Sequence, residues 1–411
     1  MDKTNTIKYD KDGKVLDVTD TDMEDMARWE SLAGEAVREA VRESLAGEAV
    51  REAETEAETE ALKELSPLEH IRLRPGMYIG ATDVSGVHYL MEEIMNNAVD
   101  AYMLGYGGRI ELTVDENRKI SVRNYGQGIP FNRLYDATAK PWYSTKYNSK
   151  SFKKTIGKTR HAGYGLKVAN ALSDHFSVQS FRNKKTGTIT FSKGKMVQNQ
   201  PETETGESDG VLVTFIPDGT LFDDYHVIHK DVEEMVKRYV FLNKGLVIIY
   251  NGVRYTSQNG LPDLLRDKMK SSGWYPPIHL TGEDIEIIFC HNTRNAEEYY
   301  CFVNGSHIPG GGTPVDAFQT AYLETIRHFF DKEYADKEIL SSIIAVIAIK
   351  VQEPVFEGAT GKFWADGQGE NTSIKNFVAD FIKRELTEYL QCHPDIAVVV
   401  RDCLEHQRPM P

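Results

Sequence analysis

The chain has 411 residues, 40% of them apolar, and no run of about eighteen lacks charge, so it is long enough for two ordinary domains and is not expected to span a membrane. The formal charge is −14, but residues 1–65 hold 19 acidic against 9 basic side chains, which leaves the remainder nearly balanced and keeps a nucleic-acid partner open. Cys290, Cys301, Cys392 and Cys403 show no CxxC spacing, which argues against a zinc site or a disulfide framework, and Met1-Asp-Lys-Thr-Asn-Thr6 is no secretory leader; a cytoplasmic protein with reduced thiols is expected.

Residues 31–40 recur as residues 44–53, and a Glu-Thr-Glu-Ala echo runs on to Ala61. Gly34 and Gly47 weaken what is otherwise a helix-forming composition, so residues 1–65 read as a disordered or marginal, solvated helix. From Ser66 the texture becomes globular. Pro67 and Pro75 bracket a short helix, and Gly86 to Leu104 reads as one long helix stopped by Gly105-Tyr-Gly-Gly108. Arg109–Glu116 and Lys119–Asn124 alternate apolar and polar residues around a short turn, as a hairpin does. Further strands are expected at Phe176–Phe181, Thr188–Phe191 and Val211–Ile216. A second unit is placed from about residue 241, with strands at Leu246–Tyr250, Ile285–Cys290, Tyr299–Val303 and Ile343–Val351 and helices at Val315–Phe330 and Ser373–Leu390. The expected layout is an acidic segment 1–65, domains 66–240 and 241–395, and a tail 396–411, of α+β class.

Within the long helix, Glu93, Asn97 and Asp100 fall in an arc of roughly 60° at about 100° per residue. Such a face is either a solvated stripe or a site. Ile120, Val122 and Asn124 share one strand face, and a polar residue that ends an apolar face calls for a specific partner. Glycines such as Gly163 and Gly165 before a helix let backbone N–H groups approach phosphate oxygens.

These elements form an ordered set: Arg74-Pro-Gly-Met-Tyr-Ile-Gly80, Glu93-Ile-Met-Asn-Asn97, Asn124-Tyr-Gly126-Gln-Gly128-Ile129-Pro130 and Gly163-Tyr164-Gly165. The set resembles the GHKL (Bergerat-fold) ATPases and, within them, the ATPase region of type II topoisomerase B subunits of the topoisomerase IV and gyrase kind. The likeness runs from Ser66 to about Pro394. It implies a GHKL α/β sandwich followed by a ribosomal-protein-S5-like transducer domain, with ATP and Mg²⁺ as cofactors. It also implies a homodimer formed on ATP binding, DNA as the captured partner, and association with a topoisomerase A subunit or TOPRIM region.

By the same resemblance, Glu93 polarises the attacking water and Asn97 ligates Mg²⁺. Asn124, Gly126, Gly128, Ile129, Pro130 and Val211 surround the base. Lys146, Phe152 and Lys153 belong to a lid, Gly163, Tyr164, Gly165, Leu166 and Lys167 cradle the phosphates, and Lys362 reaches them from the transducer as a second catalytic residue.

The chain departs from the family pattern at several of these places. Asn124 replaces the aspartate that accepts from the adenine amino group, Val211 a threonine, Gln127 an arginine and Asn96 an aspartate. The lid stretch 158–162 is longer than usual, and Pro314 stands for a histidine in the transducer element 302–313. The loop Phe356-Glu-Gly-Ala359-Thr-Gly361-Lys362 carries Ala359 for glutamine and Gly361 for lysine, with Lys362 one place late. Three readings result: a hydrolysing ATPase, a nucleotide-gated dimerisation or regulatory module with weak or absent hydrolysis, and a fold that has lost its nucleotide. The acidic segment displaces the family's N-terminal arm and leaves Tyr9 as the residue to serve it. No TOPRIM segment or cleavage-tyrosine module is evident, so complete strand passage by this chain alone is not expected.

Overall fold

The computed structural model describes residues 11, 65–141, 163–222, 225–269, 272–293, 296–351, 356–357, 362–363 and 374–406. The expectations for the repeat segment, for Tyr9, for the lid residues Lys146, Phe152 and Lys153, and for Ala359 and Gly361 lie outside these residues; of Lys362 only the strand backbone is described. Residues 1–65 form a unit separate from Ser66–Pro411, and the sheets and both cores belong to the latter.

Ser66 opens α1 (Pro67–Leu73) with a capping box: its hydroxyl accepts from Glu69 N at 3.3 Å, and its own N–H donates to the Glu69 carboxylate at 3.0 Å. Pro67 sits where a missing N–H costs nothing. After a single turn, α2 (Gly76–Ile79), comes α3 (Val84–Met103). It starts two residues before the expected Gly86 because Asp83 caps it, accepting from Ser85 N at 2.8 Å. Val87, Leu90, Met91, Ile94, Met95, Ala98 and Val99 recur at helical spacing, and all are buried.

The expected hairpin forms as β1 (Arg109–Val114) and β2 (Ile120–Asn124), paired antiparallel with Ile110 opposite Asn124. A 3₁₀ turn leads to α4 (Leu134–Ala139), and α5 (Gly165–Ala171) precedes β3 (Ser173–Arg182), β4 (Lys185–Ser192), β5 (Lys195–Glu204) and β6 (Gly210–Pro217). After α6 (His229–Leu242), β7 (Val247–Tyr250) and β8 (Val253–Thr256) return to the same sheet, whose order is β5-β4-β3-β6-β2-β1-β7-β8. Alternate residues such as Ile110, Leu112, Ile120, Val122, Phe176, Val178 and Phe215 join α3, α5 and α6 in one core. This is a two-layer sandwich.

The strand at Leu246–Tyr250, expected to open the second unit, instead pairs parallel with β1, Arg109 opposite Val247 through Leu112 opposite Tyr250, and places Leu246, Ile248 and Tyr250 in the first core. The second core begins with α7 (Leu261–Lys268). It continues through β9 (Ile278–Thr281), β10 (Ile285–His291), β11 (Glu298–Val303), β12 (Ser306–Ile308), α8 (Gly312–Phe330), α9 (Asp336–Leu340) and β13 (Ile343–Ile349). Its five-stranded sheet has the order β12-β11-β13-β10-β9. β14 (Phe356–Glu357) and β15 (Lys362–Phe363) form a separate antiparallel pair. After α10 (Ile374–Cys392), α11 (Pro394–His406) corrects the expected tail at 396–411: Ile396, Ala397, Val400, Cys403 and Leu404 lie at helical spacing and complete the second core. Cys290, Cys301, Cys392 and Cys403 are free thiols.

Candidate active site

The polar face of α3 meets the N-terminal end of α5. A Cβ at Gly165 would come within 2.5 Å of Glu93 Oε2 and 3.1 Å of Glu93 Cβ, so only glycine lets the second helix approach the carboxylate this closely. Tyr89, one turn before Glu93, is hydrogen-bonded to it; burial, together with the Glu93 charge and that bond, holds the Tyr89 phenol well above its ordinary range. Asn97 Nδ2 donates to the Glu93 backbone oxygen at 2.9 Å, which leaves Oδ1 as the atom available to a cation. Asp100, on the same face, is buried. Asn96 points elsewhere: its Oδ1 accepts from the hydroxyl of buried Tyr239 at 2.6 Å, tying α3 to α6. The neighbouring Glu92 pairs with Arg238 of α6 at 2.6 Å.

At the end of β2, Asn124 lies directly opposite Val211 of β6. Its Oδ1 accepts from Gly126 N at 3.2 Å and from Val211 N at 3.3 Å. The strands are close here because Gly210 has φ +143°, where a Cβ would meet Asn124 O at 2.0 Å. Arg123 fastens the crossing from behind, donating to Asn124 O and Ser208 O and lying over the rings of Phe181 and Tyr125.

Gly128 has φ +70°, and a Cβ there would strike Phe181 O at 2.3 Å. Ser180 secures the next residue, accepting from Ile129 N at 2.8 Å and donating to Ile129 O at 2.7 Å, while Arg182 donates to Gln127 O at 3.1 Å. Pro130 then caps the 3₁₀ turn. Sequence reasoning missed Ser180, although the signal was available: on β3 it follows Phe176 and Val178 on one face, and all three are wholly buried.

The glycine pair enters α5 with Gly163 at φ +79°; Tyr164 and Gly165 are buried, Leu166 is half-buried, and Lys167 is only 3% exposed. The other end of α5 is held from α1. Arg72 donates to Ala171 O at 2.7 Å and to Asp218 at 2.6 Å, and Lys193 meets the same carboxylate at 3.1 Å. Burial alone would raise the Asp218 pKa, but bonds from Thr220, Arg72 and Lys193 hold it well below the carboxylate range.

Two known families match the chain one after the other. Residues 82–215 match the histidine kinase-, DNA gyrase B-, and HSP90-like ATPase family, and residues 242–408 match the DNA gyrase B family. The B subunit of DNA topoisomerase 4 of Borreliella burgdorferi is 35% identical over 302 residues, covering 72% of this chain and 50% of the relative. The B subunit of DNA gyrase of Clostridium acetobutylicum is 27% identical over 374 residues, covering 83% and 57%. The chain therefore spans between half and three-fifths of the length of these curated relatives. The crystal structure of the 43K ATPase domain of Thermus thermophilus gyrase B in complex with an aminocoumarin superimposes with a TM-score of 0.64 at 26% identity, covering 83% of this chain and 94% of that one. With both family matches, this shared fold and the α3–α5 site in place, the chain belongs to the type II topoisomerase B subunits and corresponds to their GHKL ATPase region and the domain that follows it.

Proposed function

We propose that this chain binds Mg-ATP between α3 and α5, dimerises on binding it, as a topoisomerase of this family does to capture a DNA segment, and hydrolyses the bound nucleotide. The observation that supports this reading is the close approach of Gly165 to the Glu93 carboxylate, so that the residue proposed as the base lies beside the turn proposed to hold the phosphates. Glu93 orients the attacking water, with Tyr89 bonded to its carboxylate. Asn97 offers one amide oxygen to Mg²⁺. Among the described residues no group of three or more His, Cys, Asp or Glu could hold a metal, so phosphates and water supply most of the remaining ligands, as Mg²⁺ prefers.

Asn124, Gly126, Gly128, Ile129, Pro130 and Val211 take the base. Gly163, Tyr164, Gly165, Leu166 and Lys167, with Lys146, Phe152 and Lys153, take the phosphates, and Lys362 offsets developing phosphoryl charge. The nucleotide-binding domain runs from Ser66 through β8, and the transducer from α7 through α11. A homodimer, DNA, and a topoisomerase A subunit or TOPRIM region are the partners, and the cytoplasm is the location. Among the described residues no helix is long and apolar enough to cross a membrane.

A second reading, a nucleotide-gated module with weak or absent hydrolysis, is favoured by Ala359 and Gly361 in the 356–362 loop. Calorimetric titration of the full chain with Mg-ATP, followed by its mass in solution with a non-hydrolysable analogue, tests the shared part. Saturable binding with a doubling of mass supports the proposal; no binding refutes both readings.

A further inference from the structure

Resting on the nucleotide-binding reading, we infer that Asn124 offers an N–H rather than an oxygen to the base. The site then reads a hydrogen-bond acceptor on the purine's six-membered edge and does not require the amino group of adenine. The carboxamide orientation is dictated by its surroundings. Gly126 N and Val211 N both converge on one terminal atom of the side chain, at 3.2 and 3.3 Å, and both are donors. That atom must be the acceptor, Oδ1, and its two lone pairs are then committed. Turning the amide over would set Nδ2 against two N–H groups and leave both without a partner.

Neither donor can withdraw. Val211 N is fixed by the β2–β6 register, and Gly210 leaves no slack, since a Cβ there would lie 2.0 Å from Asn124 O. Gly126 N is set two residues on in a turn whose next glycine, Gly128, is clamped against Phe181. What Asn124 retains for a ligand is Nδ2, a donor only. Adenine presents an amino donor at C6 and an acceptor at N1; hypoxanthine presents an oxygen acceptor at C6. An Nδ2 donor is matched by N1 of the first or O6 of the second. Val211 adds no hydroxyl to redress the balance. An aspartate at the same place behaves differently: one carboxylate oxygen takes both backbone N–H groups, and the other accepts from the adenine amino group.

The test is calorimetric binding of ATP and ITP to the full chain and to its Asn124→Asp variant, in which both backbone bonds are kept. The parent is expected to bind the two nucleotides within about threefold of one another, and N124D to favour ATP by about tenfold or more, the worth of one matched hydrogen bond. A parent that prefers ATP by more than about tenfold, whatever N124D does, overturns this inference alone. Binding of neither nucleotide overturns it together with the reading on which it rests. The parent ratio decides the matter even if N124D does not fold.

Discussion

Gly165→Ala isolates the contact on which the site depends. The added methyl would sit 2.5 Å from Glu93 Oε2, where ordinary contact begins near 3.4 Å, so the carboxylate or α5 must yield by about 1 Å. The carboxylate is the softer of the two, because α5 is fixed at its far end by Arg72 on Ala171 O. A catalytic group misplaced by about 1 Å costs on the order of 10²-fold in rate, whereas Gly165, the first residue of α5 and not at positive φ, holds no backbone conformation that alanine cannot adopt. The variant is therefore expected to melt within a few degrees of the parent, to bind Mg-ATP within about tenfold, and to release phosphate about a hundredfold more slowly. Thermal denaturation, calorimetry and steady-state phosphate release together read these effects. Unchanged turnover in a folded G165A would refute the placement of Glu93 against α5 as the catalytic arrangement.

Arg72→Met leaves Asp218 buried with Lys193 as its one remaining cation among the described residues and removes the side-chain donor to Ala171 O. Loss of about 2–3 kcal/mol in urea unfolding is expected, and no loss would show that the ion pair contributes nothing net. Gly128→Ala forces a side chain into positive φ against the Phe181 carbonyl, and soluble expression at a tenth or less of the parent is expected; normal yield and unaltered melting would contradict the clamp. His291 is wholly enclosed, accepts from Tyr275 at 2.7 Å, donates from Nε2 to Ile339 O, and burial lowers its pKa from 6.5 to about 4. The unfolded chain takes up this proton below about pH 6.5 and the folded one only near 4, so stability is full above 6.5 and falls by about 3 kcal/mol by pH 4. His291→Gln is expected to flatten that part of the pH–stability curve whatever its effect on the baseline; an unchanged slope would assign it to other groups.

The parts of the fold written in local pattern are legible in the sequence. The period of α3, the alternation of β1 and β2 and the glycine that stops α3 place each within a few residues, and Asp83 accounts for the earlier start of α3. β5 escapes such reading because all of its residues are exposed, so no inward face marks its sequence. β7 goes to the wrong sheet because its partner, β1, lies more than 130 residues earlier, and an apolar strand carries no label for its neighbour. Helix α11 is readable from the spacing of Ile396, Val400 and Leu404, but it begins at Pro394, where the motifs quoted from the sequence stop, whereas the family match runs on to residue 408. At the site, the face of Glu93 and Asn97 can be read from spacing, and the meeting of Glu93 with Gly165 only through resemblance. The direction of the Asn124 amide is not legible, because the N–H groups that set it belong to a turn and to a strand 87 residues away.

The central claim is that Glu93 makes this chain a dimer-gated ATPase. Mg-dependent phosphate release from ATP, followed against protein concentration with Glu93→Ala as the blank, tests it most directly. Turnover per chain that rises with concentration and vanishes in E93A is the predicted result; release indistinguishable from that blank at every concentration would contradict it.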